Sequence, residues 1–173
     1  MIFIDGGYLR ERIRDIFGHE KIKFNALALW LTGIFSRYSI RCELITVYYY
    51  DALVNPTEDL DRYNEQDRYF GEIRTHDFYD VKLGRLIKTE SGYRQKGVDV
   101  LLAIDMLGKA YEDQYDIGIL LSGDDDLVDV VRAVKDVGKR VYGVYFAGHA
   151  SRKLIQSFDA CLELDAKKAK AFI

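Results

Sequence analysis

The sequence predicts an α/β fold in which helices cover both faces of a mostly parallel sheet. Apolar runs of strand length alternate with segments of helical periodicity along the whole chain. The run at 116–121 is almost continuously apolar, as expected for a parallel strand buried on both faces. The chain has 173 residues and 49% hydrophobic content, which suits a single domain, 1–173, with a sizeable core.

The N-terminal segment predicts a strand followed by two helices. Residues 1–4 are short and apolar, as in a buried strand. Apolar side chains recur on one helical face through 8–17, and Gly18 is the expected end of that helix. Apolar residues again follow helical spacing through 24–38, which predicts the second helix.

Residues 40–90 predict two further strands separated by an exposed helix. The segment 40–50 is rich in β-branched and aromatic residues, whereas 80–90 alternates apolar and polar residues before a turn at 91–92. Between them, Pro56 precedes a charged segment at 57–74. Its few large apolar residues predict a helix that lies mostly in solvent.

The C-terminal half predicts three helices, three strands and a tail. The first helix has apolar residues around much of its surface, and Gly138 is the expected end of the second. The last strand is short, and we expect it at a sheet edge. The predicted elements are helices at 98–111, 125–137 and 151–157, strands at 116–121, 141–146 and 160–164, and a basic tail at 166–173 that we expect to be frayed.

Composition limits the classes of partner. The net charge is −3, from 25 Lys and Arg against 28 Asp and Glu, which argues against coating nucleic acid by bulk electrostatics. A local basic groove stays open, because basic residues cluster at 10–14, 94–96 and 152–153. No apolar stretch approaches the roughly 20 residues that a membrane span needs. We therefore expect a cytoplasmic protein without a membrane partner.

Four acidic residues that follow apolar runs are the strongest functional signal: Asp5, Asp99, Asp124 and Asp126. In an open parallel sheet, ligands bind outside the carboxyl ends of the strands, so acids far apart in sequence converge there. Clustered carboxylates bind hard cations, and phosphate-ester chemistry is the expected use of such a site. We predict that these four residues are metal ligands.

A simpler interpretation stays open for each acid. Asp5 also suits the N-cap of the first helix, and Asp124 and Asp126 suit an acidic helix start. Asp99 lies in the first turn of its helix, where a carboxylate is favourable without a metal. Asp105 points roughly 120° away from Asp99 around that helix, so we interpret it as structural.

Three motifs occur in order: Phe-Ile-Asp-Gly-Gly-Tyr-Leu at the start, Gln-Lys-Gly-Val-Asp-Val-Leu-Leu-Ala-Ile-Asp in the middle, and Leu-Leu-Ser-Gly-Asp-Asp-Asp-Leu-Val-Asp-Val-Val afterwards. Together they resemble the NYN domain family, a PIN-like group that includes LabA-type and DUF88 proteins. The resemblance spans almost the whole chain. Two positions depart from it, because Gly7 stands where many members carry Asn and Leu127 where Phe is common.

The resemblance implies a PIN-like, Rossmann-like three-layer sandwich and endoribonuclease activity on single-stranded or structured RNA. It also implies that the aspartate cluster, Asp5, Asp99, Asp124 and Asp126, is catalytic and binds Mg²⁺ or Mn²⁺. No histidine is needed for such a reaction. As substrate contacts we predict Lys96, Arg94, Ser122 and Tyr8, with Tyr93 and Tyr145 as further candidates for stacking on bases.

Other functions stay open. A noncatalytic RNA-binding or regulatory module would keep the fold without turnover. A phosphatase with an aspartate nucleophile would need Asp-x-Asp after the first strand, and a phosphoacceptor receiver domain would need an acidic pair there; the chain has Asp-Gly-Gly. DNA instead of RNA as substrate, and a homodimer, are also left open by the sequence.

Overall fold

One sheet of seven strands organises the computed structural model, which describes residues 1–36, 41–90 and 92–173. The predicted α/β class is confirmed. In chain order the elements are β1 (Ile2–Asp5), α1 (Gly6–Phe17), α2 (Phe24–Ser36), β2 (Val47–Val54), α3 (Leu60–Arg74), β3 (Tyr79–Thr89), β4 (Gly92–Lys96), α4 (Val98–Tyr111), β5 (Ile117–Leu121), a 3₁₀ turn (Asp125–Leu127), α5 (Val128–Asp136), β6 (Arg140–Phe146), α6 (Arg152–Ser157), β7 (Ala160–Leu164) and α7 (Ala166–Ala169).

The strand order is β4-β3-β2-β1-β5-β6-β7, so β1 lies at the centre of the sheet. It pairs in parallel with β2 on one side, from Ile2 opposite Val47, and with β5 on the other, from Ile2 opposite Ile119. Among the described strands, β3 and β4 form the antiparallel pair, and the other neighbours are parallel. The chain therefore extends the sheet first to one side of β1 and then to the other.

Side chains of the sheet alternate between two hydrophobic cores. Ile2 and Ile4 of β1 face the core formed with α1, α2, α3 and α7, whereas Phe3 faces the core formed with α4, α5 and α6. Helices that connect strands in opposite directions along the sheet lie on opposite faces, as right-handed crossovers require. Both faces of the sheet are covered, which explains the nearly continuous apolar runs of its central strands.

The second strand differs from its predicted bounds. It begins at Val47 and not at residue 40, and it extends to Val54. Its register explains the start, because Val47 is the first residue that has a partner on both β1 and β3. Residues 37–40, which include the predicted end of the second helix and the predicted first residue of this strand, lie outside the described residues.

The strand β4 was not predicted; the sequence indicated a turn there. It is a polar, largely exposed edge strand that pairs with β3 from Arg85 opposite Lys96. Such a strand has no apolar alternation to reveal it, because it buries little side chain. The charged helix α3 lies mostly in solvent as predicted, although it begins at Leu60, where Asp59 caps it, and not at residue 57.

The C-terminal residues are packed, and the expectation that they would be frayed was wrong. Phe172 is fully buried in the core beside Trp30, with 5.6 Å between the ring centroids. The backbone N–H of Lys23 donates to the carbonyl of Phe172 at 2.8 Å. The lysines of this segment made it look solvent-exposed in the sequence, although its Phe172 belongs to the core.

No helix in residues 1–36, 41–90 or 92–173 is long and apolar enough to cross a lipid bilayer.

Candidate active site

A cavity of about 610 Å³ opens at the carboxyl ends of β1 and β5. These two strands flank the position where the chain changes its direction along the sheet, which is where open α/β sheets bind ligands. Asp5, Asp99 and Asp124 all line this cavity. They come from the end of β1, the first turn of α4 and the segment after β5, so the fold brings together three of the four predicted aspartates.

Asp5 is 8% exposed and has two hydrogen-bond partners. Its Oδ1 accepts from the backbone N–H of Tyr8 at 2.9 Å, which makes Asp5 the N-cap of α1. Its Oδ2 accepts from the Ser122 hydroxyl at 3.1 Å. The pKa of Asp5 is raised to about 6, mainly by burial; the negative charges of Asp99 and Asp51 act in the same direction, and the two hydrogen bonds act against it. Asp5 is therefore both the N-cap of α1 and a carboxylate of the cavity whose ionised form is disfavoured by burial.

Ser122 connects the ends of β1 and β5. It is fully buried, and its oxygen also accepts from the backbone N–H of Asp124 at 3.3 Å. A buried hydroxyl with both partners in the protein positions the neighbouring carboxylates, and the substrate contact at Ser122 stays a prediction. Asp124 in turn accepts from the backbone N–H of Asp126 at 3.0 Å and caps the 3₁₀ turn.

The pKa of Asp99 is raised in the folded protein. Burial is the largest cause, and the negative charges of Asp124 and Asp126 add to the effect. Asp99 also raises the pKa of Asp5. Asp5 and Asp99 are thus the two aspartates of the cavity whose pKa is raised.

Asp126 is exposed and is not among the residues that line the cavity. Its direct ligand role stays a prediction. Asp125 does not line the cavity, and its carboxylate binds Ser151 and Lys153 at the start of α6. Asp105 accepts from the Tyr50 hydroxyl at 3.0 Å, in keeping with a structural role.

The donor set suits a hard divalent cation, although the acids are spread around the cavity. Among residues 1–36, 41–90 and 92–173, no three His, Cys, Asp or Glu side chains are close enough to hold one ion together. Carboxylate oxygens are the ligands that Mg²⁺ and Mn²⁺ prefer, and Mg²⁺ commonly takes one or two carboxylates and keeps several waters. A bound divalent cation would offset the electrostatic repulsion between Asp5 and Asp99. The residues therefore fit a partly hydrated ion.

Arginines form the opposite wall of the cavity. Arg10, Arg12 and Arg14 come from α1, and Arg62 comes from α3. Arg10 is held by two hydrogen bonds to buried Asp51, both 2.9 Å, so it is committed to the fold. Arg14 is more accessible, with a side chain that is 57% exposed. These guanidinium groups place positive charge beside the three carboxylates.

Residues 1–165 match the NYN domain family. The chain belongs to that family. NYN domains are assigned to the PIN-like nuclease superfamily and are generally nuclease-like hydrolases. The fold is similar to the crystal structure of a protein of unknown function from Vibrio parahaemolyticus, with a TM-score of 0.69 and 20% sequence identity over 95% of this chain and 91% of that one. This likeness concerns the fold alone. No curated protein matches the chain.

Gly7 stands where NYN proteins commonly carry Asn, and a side chain from β4 occupies the space beside it. A Cβ atom at residue 7 would overlap the side-chain amide of Gln95. Both Gly6 and Gly7 lie in α1 without a positive φ. The side-chain amide of Gln95 on β4 therefore lies where a side chain at position 7 would begin.

The alternation of β4 decides which of its side chains reach the NYN cavity. Tyr93 and Gln95 line it, whereas Arg94 and Lys96 are exposed and do not. The structure therefore does not bring the two predicted substrate contacts to the cavity wall. The guanidinium of Arg62 lies 4.3 Å from the centroid of the Tyr93 ring. Because the sequence indicated a turn, the pairing that exposes Tyr93 and Gln95 to the cavity was missed.

Tyr8 lines the cavity as predicted, but its hydroxyl accepts from the backbone N–H of Phe146 at 2.9 Å, and burial raises its pKa to about 12. Tyr145 is buried and does not line the cavity.

His149, which was not among the predicted site residues, lies in the cavity wall with a ring nitrogen beside Arg12. A Cβ atom at residue 123 would overlap the His149 carbonyl, so the glycine of Ser-Gly-Asp allows this loop to approach.

Proposed function

We propose that this NYN protein is a metal-dependent endoribonuclease that hydrolyses phosphodiester bonds in RNA. The observation that carries the proposal is the delivery of Asp5, Asp99 and Asp124 by three separate elements to one cavity with an arginine wall. Carboxylates that hold a divalent cation beside groups that bind phosphate are the parts that phosphodiester hydrolysis needs.

Asp5, Asp99 and Asp124 would hold a partly hydrated Mg²⁺ or Mn²⁺, one or two of them directly and the rest through waters that the ion keeps, with Asp126 contributing charge from the rim. When bound, the ion would polarise the scissile phosphate and lower the pKa of an attacking water, so that cleavage leaves a 5′-phosphate. Ser122 and the Tyr8 N–H fix the orientation of the Asp5 carboxylate. Since the pKa of Asp5 is raised to about 6, a nearby cation would lower this pKa and favour the ionised carboxylate that can act as a ligand.

The arginine wall would hold the RNA backbone. Arg14 and Arg62 present guanidinium groups to the cavity, and one guanidinium can donate two parallel hydrogen bonds to the oxygens of a phosphate. Tyr93, already packed under Arg62, offers an aromatic surface for an unpaired base. Arg94 and Lys96, exposed on the same edge strand, could be reached by RNA that extends beyond the cavity. His149 is engaged by Arg12, so no general-base role is assigned to it.

The test is cleavage of a labelled single-stranded RNA, beside a DNA of the same sequence, with Mg²⁺, Mn²⁺ or EDTA. Asp124→Asn is compared with Asp129→Asn, a matched change at an acid that is 92% exposed on α5 and paired with Arg132. We expect metal-dependent RNA cutting by the wild type and the Asp129→Asn variant, and a loss of at least about a hundredfold in Asp124→Asn. Equal cutting by both variants would contradict the site; cutting of DNA alone would contradict RNA as substrate.

The second candidate is a noncatalytic RNA-binding module. The observation that favours it is the spread of the acids, since no three among the described residues are close enough to hold one ion. The same assay separates the two functions, because RNA binding without cutting in any metal would make the noncatalytic module the better account.

A further inference from the structure

The helix α4 is apolar on two opposite faces, of which the fold buries one. Val98, Leu102, Met106 and Ala110 are buried against the sheet. On the other side of the helix, Val100 is 60% exposed, Ile104 64% and Tyr111 71%, with Leu107 partly buried between them. A helix at the surface of a globular protein normally has one apolar stripe, so the second one needs a partner.

The exposed stripe has the spacing of a helix-pairing seam. Its members, Val100, Ile104, Leu107 and Tyr111, are separated by four, three and four residues, which is the a/d pattern of a coiled coil. The four positions carry no charged side chain. Gly108 borders the stripe, and open space surrounds its Cα, so a second helix can approach the backbone closely there.

The charges at the two ends of α4 indicate which partner covers the exposed stripe and in which direction that partner runs. The chain just before α4 is basic at Arg94 and Lys96, and the chain just after it is acidic at Glu112 and Asp113. These ends are roughly 21 Å apart along the helix. A second α4 in antiparallel orientation would place each basic end beside the partner's acidic end and would also oppose the helix dipoles favourably.

We propose that α4 pairs with α4 of a second copy of this chain, in antiparallel orientation, to form a homodimer. The seam contains Val100, Ile104, Leu107 and Tyr111, with the twofold axis between Ile104 and Leu107. Asp99 lies in the first turn of α4, so the two cavities lie at opposite ends of the helix pair. This inference does not depend on the proposed nuclease function.

Sedimentation velocity over a wide concentration range tests the dimer. We expect the wild type to pass from monomer to dimer, and Ile104→Glu and Tyr111→Glu each to raise the dimer dissociation constant at least about a hundredfold by placing an unpaired charge in the seam. The matched control is Leu29→Glu, since Leu29 is a 70% exposed leucine on α2, away from the seam. Far-UV circular dichroism establishes that each variant is folded; two independent seam variants keep the test decisive if one is not.

A wild type that is monomeric at every concentration would overturn the proposal, and so would a dimer that Leu29→Glu weakens as much as the seam variants do. Charge reversal tests the direction of pairing. Lys96→Glu and Glu112→Lys should each weaken the dimer several-fold, and the double variant should restore it. Failure of the double variant to restore dimerisation would overturn the antiparallel orientation.

Discussion

At the scale of single residues, Asp5 shows how the fold maintains a carboxylate that it does not need for its own stability. Two hydrogen bonds, from Tyr8 and Ser122, favour the ionised form of Asp5, yet burial raises its pKa to about 6. The repulsion from Asp99 acts in the same direction. An N-cap in solvent would have no such cost, because an exposed carboxylate keeps its hydration. Ionisation of Asp5 therefore lowers the stability of the folded protein unless a cation is present.

We predict that Asp5→Asn stabilises the metal-free protein at pH 7. The folded-state pKa is about 6 and the ordinary value is 3.8, so the folded protein binds more protons between these pH values than the unfolded chain does. The contribution of Asp5 to the free energy of unfolding should consequently fall as the pH rises from about 4 to 6, by up to about 3 kcal/mol, and then remain level.

Urea unfolding in EDTA at pH 4, 5, 6 and 7 measures this dependence. Asn cannot ionise and can still accept from the Tyr8 N–H, so Asp5→Asn should lose this contribution to the pH dependence and gain stability at pH 7. Asp129→Asn, at an exposed position, serves as the control. A parallel pH profile for wild type and Asp5→Asn would show that burial of Asp5 is not the cause.

At the scale of elements, one ion pair fastens α1 to the sheet beside the cavity. Asp51 of β2 is fully buried and accepts two hydrogen bonds from Arg10 of α1. Asp51 also accepts from the Tyr49 hydroxyl at 3.4 Å, the Ala52 N–H at 2.7 Å and the Gln95 side-chain amide at 3.5 Å. Since α1 carries the arginine wall and its N-terminus is capped by Asp5, the pair fixes both the position and the direction of that helix.

We predict that Arg10→Met lowers the free energy of unfolding by about 3–5 kcal/mol, because it leaves the Asp51 carboxylate buried without its counter-charge. Arg14→Met is the matched control, since Arg14 lies one turn further along α1, is 57% exposed and pairs with Glu20. It should cost less than about 1 kcal/mol. Denaturant unfolding of both variants measures the difference; equal losses would mean that the Arg10–Asp51 pair does not fasten the helix.

At the scale of the whole molecule, the candidate site exists because of the topology of the sheet. Asp5 and Asp124 are adjacent because β1 and β5 are neighbouring parallel strands, and Asp99 joins them from the first turn of α4. The same acids would be unrelated in an unfolded chain. A cation that binds them therefore binds the folded state, and it must shift the folding equilibrium.

We predict that Mg²⁺ or Mn²⁺ raises the melting temperature of the wild type by several degrees at saturating concentration. At about 100 times the dissociation constant, the linkage contributes about 2.7 kcal/mol. Asp5→Asn and Asp124→Asn should each abolish most of the shift, whereas Asp129→Asn should keep it. Differential scanning calorimetry with and without the metal measures it. The same shift in Asp124→Asn as in the wild type would place the cation elsewhere.

The sequence by itself determined the order and type of most elements. Local periodicity is enough for that, since a helix or strand with a buried face carries a pattern within its own residues. The bounds of α4 are those predicted, and β7 is the edge strand that the sequence indicated. The acids at the ends of β1 and β5 were also recognisable, because parallel strands present their carboxyl ends to one edge of the sheet.

The tertiary structure alone decided the composition of the cavity wall. The polar strand β4 is formed by its hydrogen bonds to β3, and this pairing, not local pattern, brings Gln95 into the space beside Gly7. Burial of Ser122 between the ends of β1 and β5, which makes it a positioning group for Asp5, was likewise not visible in the sequence. These features depend on contacts between residues far apart in sequence, whereas hydrophobic periodicity reports only which face of an element is buried. The sequence thus determined the framework and the acids, and packing decided what surrounds them.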